Sequence, residues 1–346
     1  MSTPHAAQVL VTGGAGYVGA VLVPMLLERG YRVRVLDRLY WGKGPIAPLL
    51  EEVELVHADV REITPAMLDG VDAVVHLAGL SNDPTAEWAP DANWQMNAVA
   101  TERLADACLA AGVRRLTYGS SCSIYDGLSD GCVHDERADV RPRGAYSTSK
   151  FYGEEKLQER AGRDFCPVIL RQGTVYGFSS RMRYDLVVNT FLKDALTKGR
   201  LLMHGGGWMW RPLVDVTDVA RAHIAALEAP EGAVAGEVFN ILNDNYQIRQ
   251  LAMLVAGSAQ LFGHPVALEE APLPAFVRNY RCSSRKAEDV LGFRAEVAPL
   301  QSIAEMLERV RRDGYADFSH PRFYNIDWMT LLAEVQPNLA PFASVT

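Results

Sequence analysis

Short apolar runs alternate with stretches of helical spacing through the first half of the chain. Val9-Leu10-Val11 is an apolar run of strand length, and Tyr17 to Arg29 then places apolar residues at helical intervals until Gly30 stops them. Strand-like runs recur at Arg32 to Leu36, Glu54 to His57, Ala73 to Leu77 and Arg115 to Tyr118, and a helix over Glu102 to Ala111 ends at Gly112. Buried strands joined by helices pair in parallel through right-handed crossovers, so the pattern predicts an α/β fold with a doubly wound parallel sheet. Pro24 falls inside the first helix, where it removes a hydrogen bond to Ala20 and bends the axis.

Beyond about residue 175 the pattern loosens. Leu186 to Lys198 reads as a helix, Leu201 to Trp210 as a glycine-broken loop, and Val214 to Leu227 as a strand edge entering a helix. Pro265 to Pro274 reads as a surface connection, and Val297 to Val310 as an amphipathic helix. The expected division is a nucleotide-binding domain over 1–178, to which 212–243 returns, and a smaller mixed α/β substrate-binding lobe with a C-terminal tail over 179–211 and 244–346. The tail's aromatics, Phe318, Phe323, Tyr324 and Trp328, are expected to dock on the body.

Composition narrows the partners. At 346 residues, 49% hydrophobic and 22% charged, the chain is globular and long enough for two lobes. A net charge of −8 disfavours nucleic acid or an anionic membrane as the main partner, while leaving room for a small anion held by a few arginines. Five cysteines without paired spacing fit a reducing compartment and neither structural zinc nor any other metal. Met1 to Gln8 lacks a basic, apolar leader and no apolar run has membrane-spanning length, so the cytoplasm is the expected location.

The chemistry begins at Val9-Leu-Val-Thr-Gly13-Gly-Ala-Gly16-Tyr17-Val18-Gly19, a glycine triplet between a strand and a helix. Gly13 permits a tight turn, Gly16 lets backbone approach a pyrophosphate, and Gly19 lets the helix pack on the sheet, as a Rossmann dinucleotide site requires. Asp37, at the end of the second strand, is placed to accept from the ribose hydroxyls and to repel a 2′-phosphate, favouring NAD over NADP. The adjacent Arg38 pulls the other way, because an arginine there can accommodate the phosphate. Asp59 and Val60 follow the third strand and either bracket adenine or form an ordinary turn. Tyr146 and Lys150 stand four residues apart on one helix face, where an ammonium would draw the phenol's pKa down and make it a base for a hydroxyl proton. Ser121 ends a strand at the ligand-binding edge of the sheet, within reach of the same reacting oxygen.

These motifs, with HLAG (76–79), GSSCSIYD (119–126), YSTSK (146–150), LRQGTVYG (170–177) and RPLVDVTDVA (211–220), resemble in order and spacing the extended short-chain dehydrogenase/reductases. Within them, the chain is similar to the NAD-dependent nucleotide-sugar epimerase/dehydratase group over roughly residues 8 to 295. The resemblance implies Ser121, Tyr146 and Lys150 as the catalytic set, with Lys150 also touching the nicotinamide ribose. It implies that Leu77, Ala78, Gly79 and Leu80 line the cofactor and that Asn97 lies near it. Arg211 would hold a substrate diphosphate, Asn189 would approach it from the second lobe, and Arg183 and Arg278 are further phosphate candidates unless they are ordinary surface arginines. A homodimer through the two long helices beside the active site is implied as well.

The chain also departs from the pattern. Sugar 4,6-dehydratases of the group carry an Asp–Glu pair directly after the catalytic Thr/Ser, and here those positions are Cys122 and Ser123, which disfavours an ordinary 4,6-dehydration. Cys122 is either a small packed residue or a thiol acid/base. Thr174 replaces the usual Asn, so sugar contacts at Ser123 and Thr174 are expected to differ, and Ser81 and Asn82 on the loop after the fourth strand either touch sugar or cap a helix. Trp88 on that loop, and Trp208 and Trp210, are packing residues or, for the last two, a stacking platform for a base. The expected function is therefore an NAD-dependent epimerase acting at C4 of an NDP-hexose. The alternatives are a Cys122-dependent dehydratase, decarboxylase or other-carbon epimerase, and, from another class, a non-catalytic NAD-binding regulatory protein.

Overall fold

The computed structural model describes residues 7–128, 131–274 and 277–339. The expected leader-free start falls mostly outside them, as do the last residues of the tail. Seven parallel strands form the central sheet: β1 (Gln8–Thr12), β2 (Arg32–Asp37), β3 (Val53–His57), β4 (Ala73–His76), β5 (Arg115–Ser121), β6 (Cys166–Gln172) and β7 (Val238–Ile241). Their order is β7-β6-β5-β4-β1-β2-β3. The order reverses between β1 and β4, where such sheets open a crevice for a ligand beyond the strands' carboxyl ends. Helix α1 (Gly19–Glu28) runs through Pro24 as one element. Helices α2 (Ala100–Ala111) and α3 (Ala145–Arg160) pack side by side on the sheet.

The strands are apolar on both faces because both faces are covered. Leu10, Val74, Leu116 and Ile169 pack toward Leu104 and Leu157, while Val9, Val11, Val33 and Val35 pack toward Leu22, Leu26 and Ile224. A second core gathers α4 (Val187–Lys198), α6 (Ile248–Leu261) and α7 (Pro299–Arg312) around Tyr184, Leu192, Val255 and Met306, while α5 (Val216–Glu228) packs on the central sheet through Ala220, Ala222 and Ile224. A three-stranded sheet of Thr174–Tyr176, Trp210–Asp215 and Asp244–Gln247 lies between the two cores.

Two segments differ from their sequence reading. Leu201 to Trp210 is not a loop throughout: Arg200–His204 is a strand paired in parallel with Ala267–Ala271, inside the supposed Pro265 to Pro274 surface connection. Leu201 and Met203 are buried and alternate with exposed neighbours, but Leu202 between them is also apolar and masks the period-two pattern. Ala267–Ala271 is largely exposed and pairs through backbone, so it leaves no hydrophobic signature. The tail docks as expected: Phe323 inserts into the second core against Tyr184, and α8 (Asn325–Leu339) follows. Among the described residues no helix is long and apolar enough to cross a membrane.

Candidate active site

The crevice at the switch point is walled by the glycine turn, the loops after β2, β3, β4 and β5, the start of α3 and two segments of the second lobe. Gly13 has φ +74° and lies so close to the strand-β4 loop that a Cβ would sit 2.8 Å from the Ala78 nitrogen. A Cβ on Gly19 would strike the Gly13 carbonyl. Gly16 donates its N–H to the Gly13 carbonyl at 3.0 Å, closing the turn. Gly13, Gly16, Tyr17, Val18 and Gly19 all line the crevice, as do Leu77, Ala78, Gly79 and Leu80 opposite.

Asp37 faces the same crevice, accepting from the Ala15 N–H at 3.0 Å and the Leu39 N–H at 2.7 Å. Burial raises its pKa, and the two N–H donors work against that. Asp59 and Val60 line the same crevice. Arg38, the residue that favoured NADP, donates to Asp59 at 3.3 Å, and Arg61 closes on the same carboxylate at 2.6 Å. Burial opposes the ionised Asp59, but the Arg61 hydrogen bonds prevail and hold it below the ordinary carboxylate range. With Arg38 already engaged and Asp37 beside it, the pocket suits two free ribose hydroxyls better than a 2′-phosphate.

Ser121, Tyr146 and Lys150 converge on the floor, all three lining the crevice, with the Ser121 hydroxyl bonded to the Tyr146 phenol. The Lys150 ammonium is buried, donates to the Gly119 carbonyl at 3.0 Å and stands 4.9 Å above the Tyr118 ring. The expected electrostatics are corrected here. Burial pushes the Tyr146 phenol up to about 12, helped by Asp83; Arg278, Arg183 and the Ser121 bond pull the other way. Burial also brings Lys150 down to about 8, partly offset by Glu154. Desolvation therefore sets the direction for the phenol in the protein by itself, and the groups that oppose it are Arg278, Arg183 and Ser121 rather than Lys150.

Asn97 is fully buried behind Gly79 and does not itself line the crevice. Its amide nitrogen donates to the Leu80 carbonyl and Asn93, both at 2.8 Å, while its Oδ1 has no partner. An orphaned acceptor facing Gly79, a buried ammonium satisfied by one carbonyl, and a turn that only glycine fits together form a cradle suited to a dinucleotide.

Several predicted site residues lie elsewhere. Cys122 is fully buried and does not reach the crevice: its thiol donates to the Arg171 carbonyl at 3.1 Å among Tyr125, Tyr280 and Cys282. The strand ends at Ser121 and a 3-10 turn begins at Cys122, which carries the thiol away from the crevice that Ser121 lines. Cys122→Ala should accordingly leave turnover within about threefold of wild type and cost about 1–2 kcal/mol of stability in urea unfolding, as for other small buried truncations. Ser123 is also buried outside the crevice, donating its N–H to the Ser121 hydroxyl at 3.1 Å. Asn189 does not approach a ligand; it accepts from the Gly177 N–H at 3.2 Å and donates to Tyr17 and the Arg183 carbonyl. Arg211 is turned onto the backbone carbonyls of Trp210 and Arg278. Trp208 is 57% exposed with Arg249 stacked on it, away from the crevice. Trp88 lies away from it too.

Ser81, Asn82, Thr174, Arg183 and Arg278 do line it. Asn82 combines both readings, since its Oδ1 also caps the helix Asp83–Trp88 through the Thr85 N–H at 3.0 Å. Arg183 grips Asp185 with two nitrogens at 2.8 and 2.9 Å and donates to Ser81 at 2.8 Å. Arg278 is ion-paired with Asp83. The sequence reading missed Tyr40, Trp41, Arg181, Tyr280, Asn325 and Met329, all of which line the crevice. Arg181 stood two residues before a named arginine; the others carried no local signal.

The cleft defines a Rossmann enzyme of the short-chain dehydrogenase/reductase type, with the glycine turn and Ser121, Tyr146 and Lys150 on one crevice. The sequence signature of the NAD dependent epimerase/dehydratase family matches residues 9–241, and the chain belongs to that family of enzymes, with NAD as its cofactor. It is 29% identical over 315 residues to the UDP-glucose 4-epimerase of Corynebacterium glutamicum, spanning 86% of this chain and 94% of that one. The UDP-glucose 4-epimerase of Thermotoga maritima, solved with UDP-glucose, superposes with a TM-score of 0.79 at 25% identity, covering 88% of this chain and 99% of its own. DesIV, a dTDP-glucose 4,6-dehydratase from Streptomyces venezuelae solved with NAD, gives 0.78 at 25% identity, covering 89% and 98%.

Proposed function

We propose that the protein epimerises a nucleotide-diphosphate sugar, at C4 of an NDP-hexose, through a transient 4-keto sugar. The observation that carries this reading is the convergence of Ser121, Tyr146 and Lys150 beside the glycine turn, with no carboxylate from positions 122 and 123 in the crevice. Bound NAD supplies a hydride acceptor that returns the hydride, so no net redox occurs. Tyr146, in its ionised form, would take the proton of the sugar hydroxyl and give it back, Ser121 would hold the reacting oxygen by a hydrogen bond, and the Lys150 ammonium would favour that ionised form. The glycine turn would hold the dinucleotide, with Asn97 backing Gly79 from behind, and Arg278 and Arg183, both felt electrostatically at Tyr146, would meet the substrate's negative charge. The 4-epimerases among its relatives agree with this reading; the placement of Cys122 gives the Cys-dependent alternatives no support.

The test is direct. Purified protein is denatured and the released small molecules identified by mass spectrometry, and a panel of nucleotide-sugars is then followed by proton NMR. NAD in the supernatant and interconversion of C4 epimers are expected. Release of NADP, or no change in any sugar, would sink the reading.

A further inference from the structure

Arg181 is a buried cation that forms no ion pair among the described residues. It is 5% exposed yet lines the crevice. Its Nη2 donates to the Asn325 Oδ1 at 2.6 Å, and its guanidinium lies 3.9 Å over the Trp41 ring. Among the described residues no carboxylate reaches it within ion-pair distance, whereas Arg183, two residues on, is clamped by Asp185. Burial, reinforced by the charge of Arg183 and only partly offset by the Asp185 carboxylate, lowers its pKa to about 9. An uncompensated buried charge costs several kcal/mol, a cost removed when an anionic ligand completes the pair.

Position tells which anion. The preceding Ser179 donates its hydroxyl to the carbonyl of Tyr17, inside the glycine turn, and Ser180 donates to the Pro45 carbonyl. Trp41 stands four residues past Asp37. Arg181 is thus wedged between the turn that receives a dinucleotide's diphosphate and the loop that receives its ribose. Arg278, a further arginine of the crevice, is already ion-paired with Asp83.

The tail completes the arrangement. Asn325 opens α8 and is itself 5% exposed; its N–H donates to Asp185 at 3.2 Å and its amide nitrogen to Ser81 at 3.1 Å. Three residues on, the Trp328 indole donates to the Tyr40 carbonyl at 2.6 Å, and the Trp41 indole returns a bond to the Arg322 carbonyl at 3.0 Å. Anchored by Phe323 in the second core, the segment crosses to the loop after β2 and places Met329 on the crevice wall. Asn325 is neutral, so it aims the guanidinium without cancelling its charge.

We propose that Arg181, aimed by Asn325, is a second clamp on the NAD diphosphate, and that Arg322–Met329 is a strap that keeps NAD resident. The inference rests on NAD as the cofactor and is independent of which sugar is turned over. Wild type, Arg181→Met, Arg181→Lys and Asn325→Ala are purified as holoproteins. NAD per chain is measured after gel filtration, and its release is timed on dilution into an NAD-consuming trap. Wild type is expected to keep close to one NAD per chain, Arg181→Met to release it at least tenfold faster, and Asn325→Ala to fall between. Arg181→Lys should recover part of the loss, since it restores charge without the fork. Unchanged release in Arg181→Met overturns the proposal, as does a wild type that exchanges NAD freely. A raised KM for the nucleotide-sugar at wild-type NAD retention also overturns it, assigning Arg181 to the substrate's diphosphate. If Arg181→Met does not fold, the lysine and Asn325 variants decide by the same readout. A protein that turned over no nucleotide-sugar would lose the proposed function and still give this assay its answer.

Discussion

Tyr146→Phe is expected to cut turnover by about 10²–10⁴-fold, the usual worth of a positioned acid/base, while NAD stays bound. Lys150→Met should be as damaging to turnover and yet make the cofactor-free protein more stable. The stabilisation follows from burial: the Lys150 ammonium is held by one carbonyl and an aromatic face, and its pKa falls from 10.5 to about 8. Below pH 8 the folded chain keeps a buried charge that the unfolded chain would hold in water. Between pH 8 and 10.5 the unfolded state binds the extra proton, so wild-type stability rises with pH through that window relative to the variant. Methionine should therefore gain roughly 2–4 kcal/mol at pH 7, with the gain fading towards pH 10.5. Urea unfolding of both proteins stripped of NAD, at several pH values, checks this. A variant no more stable than wild type at pH 7 would show that the buried ammonium carries no such cost.

The second large effect lies beneath the site. Glu154, one turn after Lys150 on α3, is fully buried, accepts from the Ser120 hydroxyl and grips Arg171 of β6 at 2.7 and 3.0 Å. Arg171 in turn donates to Tyr125 at 2.8 Å, and Tyr125 to Asn240 of β7 at 2.8 Å. This pair ties the helix carrying Tyr146 and Lys150 to the sheet carrying Ser121. Glu154→Ala leaves an unpaired guanidinium inside and should cost about 3–5 kcal/mol in urea unfolding. Replacing both partners, Glu154→Leu with Arg171→Met, should recover most of that loss, because the stranded charge goes as well. If the double variant were as unstable as the single, hydrogen bonding by the network rather than the stranded charge would set the cost.

How much of this was legible in the sequence depended on distance along the chain. The glycine turn, Asp37 and the Tyr146–Lys150 spacing are local features whose backbone requirements show in a few consecutive letters. Parallel strands buried on both faces announced themselves as apolar runs. Arg200–His204 did not, because Leu202 interrupts the alternation, and Ala267–Ala271 did not, because backbone pairing on an exposed edge needs no apolar face.

Side-chain direction was the other limit. Cys122 is adjacent to Ser121 in sequence, but the turn after β5 sends it into a packed cluster. Asn189 and Arg211 hold backbone in place. The partners that reshape the cofactor cleft come from far away in sequence: Asn325 meets Arg181 across 144 positions, and Trp328 meets Tyr40 across 288. The amino-acid sequence by itself determined the sheet, the glycine turn and the pairing of Tyr146 with Lys150 on one helix face, since each rests on local backbone geometry. Only the tertiary structure decided which neighbouring polar groups face the ligand, how burial moves Tyr146 and Lys150, and that the tail closes over Arg181. Those outcomes depend on desolvation and on contacts between remote segments, which short-range spacing does not encode.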